Sequence, residues 1–374
     1  MSDIVISGSG LFTPPYTVTN DELVDAYNAY VERFNQDNAV AIEAGEVDAL
    51  PLSSSEFIEK ASGIKSRYAM HKKGMLDIDR MMPIFEPCSA DNGNVLETVS
   101  MSVEAAKEAM ARANKTAEDI DLVILSTANI QRSYPATAIE VQQQLGIKGF
   151  GYDMTVACSS ATFGLINAFA AVKAGIAKCV LVVNPEFATP QVNLKSRDSH
   201  FIFGDGATAC IIEKSDTCTS QYAFKILDTK QFTQFSNNIR CEGSYTDHCF
   251  DDLPYDRPFF QQEGRKVFKE LLPLVTDFIE EQLKDNTLNA TDLKRMWLHQ
   301  ANINMNLFAV KKLLGRLPEG DEAPVILDEY ANVASSGSVI AFHKYQDDFK
   351  AGDKGIICSF GAGYSIGSLI VEKI

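Results

Sequence analysis

Hydrophobic and polar positions fall into a regular alternation from about Glu97 onward. Small and apolar residues at helical spacing over 102–113 predict a helix, and Ile-Asp-Leu-Val-Ile-Leu-Ser over 120–126 predicts a strand. A loop holding Arg132, Ser133, Tyr134 and Pro135 leads to a helix over 138–145. A short buried strand then runs up to Cys158, followed by a helix through Ala168 to about Gly175 and a strand over 179–184. The stretch 203–213 reads as a turn entering another strand. Helix and strand alternating in this way define an α/β fold. Upstream, residues 4–6 predict a short strand closed by a Gly-Ser-Gly turn, and a helix starts with Asn20 near its cap. Residues 26–94 are irregular, acidic and Met-rich in places, and predict helices and loops covering one face.

The second half repeats the plan. Residues 278–300 run helix, polar loop, strand, as residues 104–126 do, and the chain end Gly-Ala-Gly-Tyr-Ser-Ile-Gly-Ser-Leu-Ile-Val-Glu-Lys echoes Gly-Asp-Gly-Ala-Thr-Ala-Cys-Ile-Ile-Glu-Lys over 204–214. Two echoes in one order indicate an internal duplication with the join between Lys214 and Phe224. The halves are expected over 1–215 and 216–374, with insertions near 29–52 and 75–94.

Composition narrows the function. The 374 residues are 45% hydrophobic, enough for a large core, and 34 Lys and Arg against 50 Asp and Glu give a formal charge of -16. That balance argues against nucleic acid or an anionic membrane as the main partner. Eight scattered cysteines without a Cys-x-x-Cys pair fit a reduced, cytoplasmic protein with no structural metal site. The first residues show no leader pattern, and no apolar run reaches transmembrane length.

Four turns hold candidate chemistry. Cys158 sits where strand becomes helix, so a positive helix end favours its thiolate and predicts a lowered pKa; the alternative is a small core hydrophobe. His299 closes a strand and opens Gln-Ala-Asn-Ile-Asn-Met-Asn, whose periodicity through Phe308, Val310 and Leu313 predicts a helix. It suits either catalysis or a buried structural hydrogen bond. Asn332 lies in Ala-Asn-Val-Ala-Ser-Ser, and Phe-Gly-Ala-Gly over 360–363 can bring backbone N–H groups against a ligand.

Asp-Met-Thr-Val-Ala-Cys-Ser-Ser (153–160), Phe-Gly-Asp-Gly-Ala (203–207), His-Gln-Ala-Asn (299–302), Ala-Asn-Val-Ala-Ser-Ser (331–336) and Phe-Gly-Ala-Gly (360–363), in this order, resemble the thiolase-like condensing enzymes of the β-ketoacyl-acyl-carrier-protein synthase III type. The resemblance implies a duplicated thiolase-like fold of five layers, α-β-α-β-α. It also implies a decarboxylative Claisen condensation in fatty-acid synthesis: Cys158 takes the acyl group of an acyl-coenzyme A primer, and malonyl-acyl carrier protein then loses carbon dioxide and attacks the thioester. By the family pattern His299 and Asn332 stabilise the enolate, and the backbone N–H groups of Cys158 and Ala362 form the oxyanion hole. Coenzyme A is a substrate, and no cofactor or metal is implied.

Two departures separate the chain from true thiolases, which carry Asn-Glu-Ala-Phe at 299–302 and a second cysteine where Ser359 stands. Cys358 is one residue off, which turns it to the opposite strand face. Arg197, Phe57, Tyr134, Phe268 and Asn302 match substrate-contact positions; the family's nucleotide-holding tryptophan and arginine correspond to Phe57 and Ala61. Lys269, Lys311 and Lys312 match positions that face the acidic carrier protein, or else form a solvated helix face. Tyr134 falls where the family limits the acyl pocket across a dimer interface, which implies a homodimer. Met75, Met81, Met82, Ile84 and Phe85 in the longer 75–94 stretch either line a channel for a medium-chain primer or simply pack. Acetyl is the other primer, and an acyltransferase or a secondary-metabolite condensing enzyme is the other activity of this fold. A non-catalytic partner subunit would be expected to lack the nucleophile.

Overall fold

The computed structural model of the protein describes residues 2–86, 88, 93–241 and 259–374. Its first strand, β1 (Ile4–Phe12), runs on through Gly-Ser-Gly, which the sequence reads as a turn. A Cβ on Gly8 would lie 2.4 Å from Ala109 O, and one on Gly10 would lie 2.1 Å from Ala105 O. The glycines therefore let a helix backbone rest on the strand, a close approach that no larger residue allows.

After β1 come β2 (Tyr16–Thr19), α1 (Asn20–Asp37), α2 (Ala39–Glu43), α3 (Ser55–Ser62) and β3 (Ser66–Ala69). The cap of α1 is Thr19, with Asn20 beside it as expected. Its hydroxyl accepts from Glu22 N while the Glu22 carboxylate accepts from Thr19 N, a capping box. The first regular α/β run is α4 (Glu97–Ala113), β4 (Leu122–Ser126), α5 (Thr137–Leu145), β5 (Phe150–Met154), α6 (Ser160–Lys173), β6 (Cys179–Glu186) and β7 (Gly206–Lys214). The second is β8 (Phe224–Ser236), β9 (Ile239–Arg240), β10 (Gln261–Gln262), α7 (Gly264–Asp285), β11 (Leu293–Leu298), α8 (Ile303–Leu314), α9 (Leu327–Tyr330), α10 (Gly337–Lys344), β12 (Lys354–Gly361) and β13 (Gly363–Lys373).

Nine strands join in the order β11-β12-β13-β8-β1-β7-β6-β4-β5. Reading outward from β8 gives β13, β12, β11, and outward from β1 gives β7, β6, β4, so the order repeats on either side of the join except for β5, which extends the first side by one strand. That join is narrow, with Val5 paired to Lys225 and Ile6 to Phe224. Strand alternation sorts the side chains into layers. Leu122, Ile124, Val180 and Val182 meet Trp297, Ile357 and Leu369 around α6 and α10 in one central cluster. Val123, Leu125, Leu181 and Val183 face α4 and α5, while Met296, Leu298, Ile356 and Cys358 face α7 and α8. The result is the expected α-β-α-β-α stack.

Two expectations change here. The strand before Cys158, β5, is one of the two edge strands of the nine-stranded sheet and only half-buried, with Phe150 and Tyr152 exposed. In the irregular segment, Met75 and Met81 are 2% and 3% exposed and pack with Tyr27, Phe201 and Leu327. They are core residues there. Of the 75–94 insertion, residues 87 and 89–92 lie outside the described residues.

Candidate active site

Cys158 stands between β5 and α6, with Ala157 before it held at φ +45°, a conformation unfavourable for a residue with a Cβ. The turn is fixed from both sides. Ser160 Oγ accepts from Val156 N at 2.7 Å and lies 2.9 Å from Thr127 O. Ser159 Oγ lies 2.9 Å from Ser365 Oγ and 3.0 Å from Ser365 O on β13, across the join of the halves. A Cβ on Gly361 would fall 2.6 Å from Cys158 Cβ and 3.2 Å from its Sγ. The thiol thus lies directly on the terminal glycine turn, and the backbone N–H groups of Ala362 and of Cys158 itself are aimed at the sulfur.

The expected lowering of the thiol pKa does not hold in the free protein. Burial pushes the Cys158 thiol up to about 12, the Glu186 carboxylate adds to the rise, and the two N–H groups only partly oppose it. Desolvation of a sulfur anion outweighs a helix end here. Cys358, on the face opposite Ser359, is buried among the outer-layer side chains, whereas Ser359 Oγ meets Ser338 Oγ at 2.7 Å.

His299 follows β11, which pairs in parallel with β12, so its N–H donates to Cys358 O at 2.8 Å and its ring meets Phe360 edge-on at 5.3 Å. It therefore stands one residue from the glycine turn that touches Cys158. The ring is 2% exposed, its Nδ1 has no partner, and burial lowers its pKa to about 4, so it is neutral near pH 7. Asn332 is 5% exposed and its Oδ1 has no partner either. Its backbone bonds on both sides, N–H to Ile202 O at 3.0 Å and O from Gly204 N at 3.1 Å. Positive φ at Ala331 (57°) and Ala334 (37°) bends the turn around it. Gln300 ties the two turns together, donating to Pro324 O at 3.2 Å and accepting from Ile326 N at 3.1 Å.

A cleft of about 470 Å³ reaches Asn332 and is lined by Phe57, Ala61, Arg265, Phe268, Asn302 and Met305 among others. Arg197 stacks on Phe57 at 3.9 Å and its Nε donates to Leu52 O at 2.8 Å. Asn302 is already occupied: it caps α8 and donates to Ala61 O at 2.7 Å. Phe268 packs edge-on against Phe308 at 5.8 Å. Tyr134 is 84% exposed, away from this cleft's lining. A second hollow of about 520 Å³ lies against Val156, Ala157, Phe235, Ile239, Ala362 and Tyr364, flanking the Cys158 and glycine turns. Of the three lysines, Lys312 is held by Asp277 and Thr276, both at 2.7 Å; Lys269 and Lys311 make no ion pair among the described residues. No cluster of metal-ligating side chains occurs among the described residues. One buried carboxylate at the site, Glu186, carried no sequence signal beyond an acidic residue at the end of an apolar strand.

Models of the 3-oxoacyl-[acyl-carrier-protein] synthase III family and of its C-terminal part match residues 152–234 and 283–373. The chain is 52% identical to a β-ketodecanoyl-[acyl-carrier-protein] synthase of Pseudomonas aeruginosa over 94% of its own length and 100% of that protein's. It is 30% identical to a β-ketoacyl-[acyl-carrier-protein] synthase III of Brucella anthropi, covering 74% and 84% of the two chains. A solved 3-oxoacyl-[acyl-carrier-protein] synthase III from Aquifex aeolicus superposes with a TM-score of 0.75 at 25% identity, each chain fully covered.

Proposed function

The chain belongs to the 3-oxoacyl-[acyl-carrier-protein] synthase III family of condensing enzymes, and on that premise we propose that Cys158, His299 and Asn332 carry its decarboxylative condensation of an acyl primer with malonyl-acyl carrier protein. The observation that carries the assignment is the buried, unpartnered Nδ1 of a neutral His299 whose ring packs on Phe360, beside the glycine that touches a thiol facing two backbone N–H groups. An unpaired buried polar atom costs about 1–3 kcal/mol, which an N–H of the His299 ring would recover by donating to a thioester oxygen, while Asn332 donates to the same oxygen through its amide nitrogen.

In the first half-reaction Cys158 Sγ attacks the primer's thioester carbonyl. The oxyanion rests on the N–H groups of Cys158 and Ala362, the coenzyme A sulfur leaves and takes up the proton that Cys158 gives up. In the second, the malonyl C–C bond to the carboxylate breaks, carbon dioxide departs, and the electron pair passes toward the thioester oxygen. Neutral His299 and Asn332 donate to that oxygen. The new carbanion carbon bonds the acyl carbonyl, and collapse of the adduct expels the Cys158 thiolate, which is reprotonated as the β-ketoacyl-carrier protein leaves. Ser359 in place of a second thiol suits donor activation by loss of carbon dioxide, since no base is needed to remove a proton from carbon. No bound cofactor enters these steps, and coenzyme A is a product.

The primer is medium-chain. A β-ketodecanoyl product arises from a two-carbon extension of an eight-carbon acyl group, and the relative so named shares half its sequence with this chain. The pantetheine arm enters by the cleft between Phe57, Phe268 and Asn302, and Lys269 and Lys311 meet the acidic carrier protein. The chain acts as two thiolase-like halves meeting after Lys214, supported by the repeated strand order. A homodimer forms over the free edge of β5, supported by its exposed Phe150 and Tyr152 and by Tyr134. The reduced cysteines support a cytoplasmic location; no helix among the described residues is long and apolar enough to cross a membrane.

Steady-state turnover of acyl-coenzyme A primers from two to ten carbons, with malonyl-carrier protein as extender, tests the reading. Highest kcat/KM with octanoyl is expected, and an acetyl preference overturns the primer assignment. An acyl mass on Cys158 without carbon dioxide release would point to simple acyl transfer instead.

A further inference from the structure

Glu186 ends β6 with a carboxylate only 1% exposed, and no cation approaches it among the described residues. Its partners are neutral and come from two different turns. Ala128 N donates to Oε1 and Oε2 at 3.0 and 3.2 Å, and the Thr127 hydroxyl, shared with Pro185 O at 2.6 Å, lies 3.2 Å from Oε2. From the other half of the molecule, Ser335 N donates to Oε1 at 3.2 Å and the Ser335 hydroxyl makes a short bond to the same oxygen. Thr127 O in turn is bonded by Ser160, which fixes the Cys158 hinge, while Ser335 lies three residues after Asn332 in the turn bent at Ala331 and Ala334.

The carboxylate thus joins the Thr127–Ala128 turn, on which the Cys158 hinge rests through Ser160, to the turn that carries Asn332. Through Thr127 and Ser160 it stands two bonded contacts from the hinge, and its charge raises the thiol's pKa. A hydrogen-bonding role alone could be filled by an amide. Burying a charge with no counter-ion is costly, so its presence calls for a function.

We propose that Glu186 is a positioning residue of this site, clamping the Asn332 turn to the Cys158 hinge and placing a negative charge beside the thiol. The inference rests on the reading of Cys158 and Asn332 given above. Burial raises the Glu186 carboxyl to about 7, so it is only partly ionised near neutrality and fully ionised at pH 9. The groups packed against it from β6, the Thr127–Ala128 turn and the Ser335 turn are otherwise uncharged, leaving Cys158 as the titratable group it opposes. The charge discourages a free thiolate, which guards the sulfur against oxidation and alkylation until a substrate occupies the site.

The test uses the full-length protein with Glu186→Gln, which keeps an acceptor for Ala128 and Ser335 and removes the charge. Alkylation of Cys158 by iodoacetamide is followed by peptide mass from about pH 6 to pH 10, a readout independent of turnover. Acyl loading and carbon dioxide release are measured separately. In Glu186→Gln the alkylation profile moves to lower pH, so that Cys158 reacts about three- to tenfold faster at pH 8.5, equivalent to half to one pKa unit. Ser335→Ala leaves the alkylation rate unchanged at pH 9–10, where Glu186 stays ionised, but slows condensation more than acyl loading, because it loosens the Asn332 turn. An unmoved alkylation profile in folded Glu186→Gln, or equal losses of loading and condensation in Ser335→Ala, overturns the proposal. Should Glu186→Gln fail to fold, the split in Ser335→Ala decides alone. Absence of an acyl mass on wild-type Cys158 would instead overturn the assignment of the nucleophile.

Discussion

Gly361 and Cys158 touch: the space a Cβ on Gly361 would fill, 2.6 Å from Cys158 Cβ, is where the cysteine's side chain lies. The two residues come from opposite halves of the chain, so the thiol's place is defined by the packing of one half on the other. Gly361→Ala must push the sulfur away from the N–H groups of Cys158 and Ala362. Displacement of about 1 Å costs on the order of a hundredfold in rate. Acyl loading of Gly361→Ala, read by intact mass against time, is expected to slow by about that factor, and loading at the wild-type rate would show that the thiol is positioned by something else.

His299 and Asn332 are assigned to the second half-reaction alone. His299→Ala and Asn332→Ala should still acquire the acyl group on Cys158, while carbon dioxide release from malonyl-carrier protein falls by about 10²- to 10³-fold in each. Cys158→Ala should acquire no acyl group. Equal loss of both half-reactions in the His299 or Asn332 variant contradicts the division of labour.

The buried imidazole of His299 carries a pH signature. Its pKa lies at about 4 in the fold, below its ordinary value of 6.5, because burial disfavours the charged ring. His200, stacked on Tyr27 at 4.7 Å, is lowered to about 4 for the same reason. The unfolded chain therefore binds these protons at higher pH than the folded one, so their contribution to stability is complete above pH 6.5 and is lost as pH falls toward 4. Melting temperature should drop between pH 6.5 and 4, with a smaller drop in His200→Phe. The decarboxylation rate should show no step at 6.5; a step there that vanishes in His299→Asn would mean that the ring is charged when it acts.

The carrier-protein surface is graded by how its lysines are engaged. Lys269→Ala and Lys311→Ala remove charge that has no ion pair among the described residues and should raise KM for malonyl-carrier protein several-fold at low salt, the effect shrinking as ionic strength rises. Lys312 is already paired with Asp277, so Lys312→Ala should change KM less. A larger effect at Lys312 than at Lys269 and Lys311 would place the docking surface elsewhere.

Strand β5 is the outer edge of the nine-stranded sheet on the first half's side, and Tyr152→Lys should weaken any dimer formed across it by putting like charges face to face. Light scattering should then report a shift toward monomer at low micromolar concentration. An unchanged mass would move the interface off this edge.

What the sequence alone determined is local. Periods of two and of about four residues located most strands and helices from residue 97 onward, because each buries one face against a layer. The turn residues at 158, 299, 332 and 361 stood out because small and polar residues interrupt apolar strands there. Only the tertiary structure decided what depends on neighbours distant in the chain. Gly8 and Gly10 read as a turn until α4 is seen lying on them, and α1, capped at Thr19, belongs to a segment whose Met75 and Met81 face inward. The Cys158 thiol, expected to ionise readily at a helix start, is held protonated, since desolvation and the Glu186 charge are set by the packing around it. Glu186 itself, bonded to turns on either side of the join, is an ordinary acidic letter in the sequence; its burial and its reach to Ser335, 149 positions away, exist only in the fold.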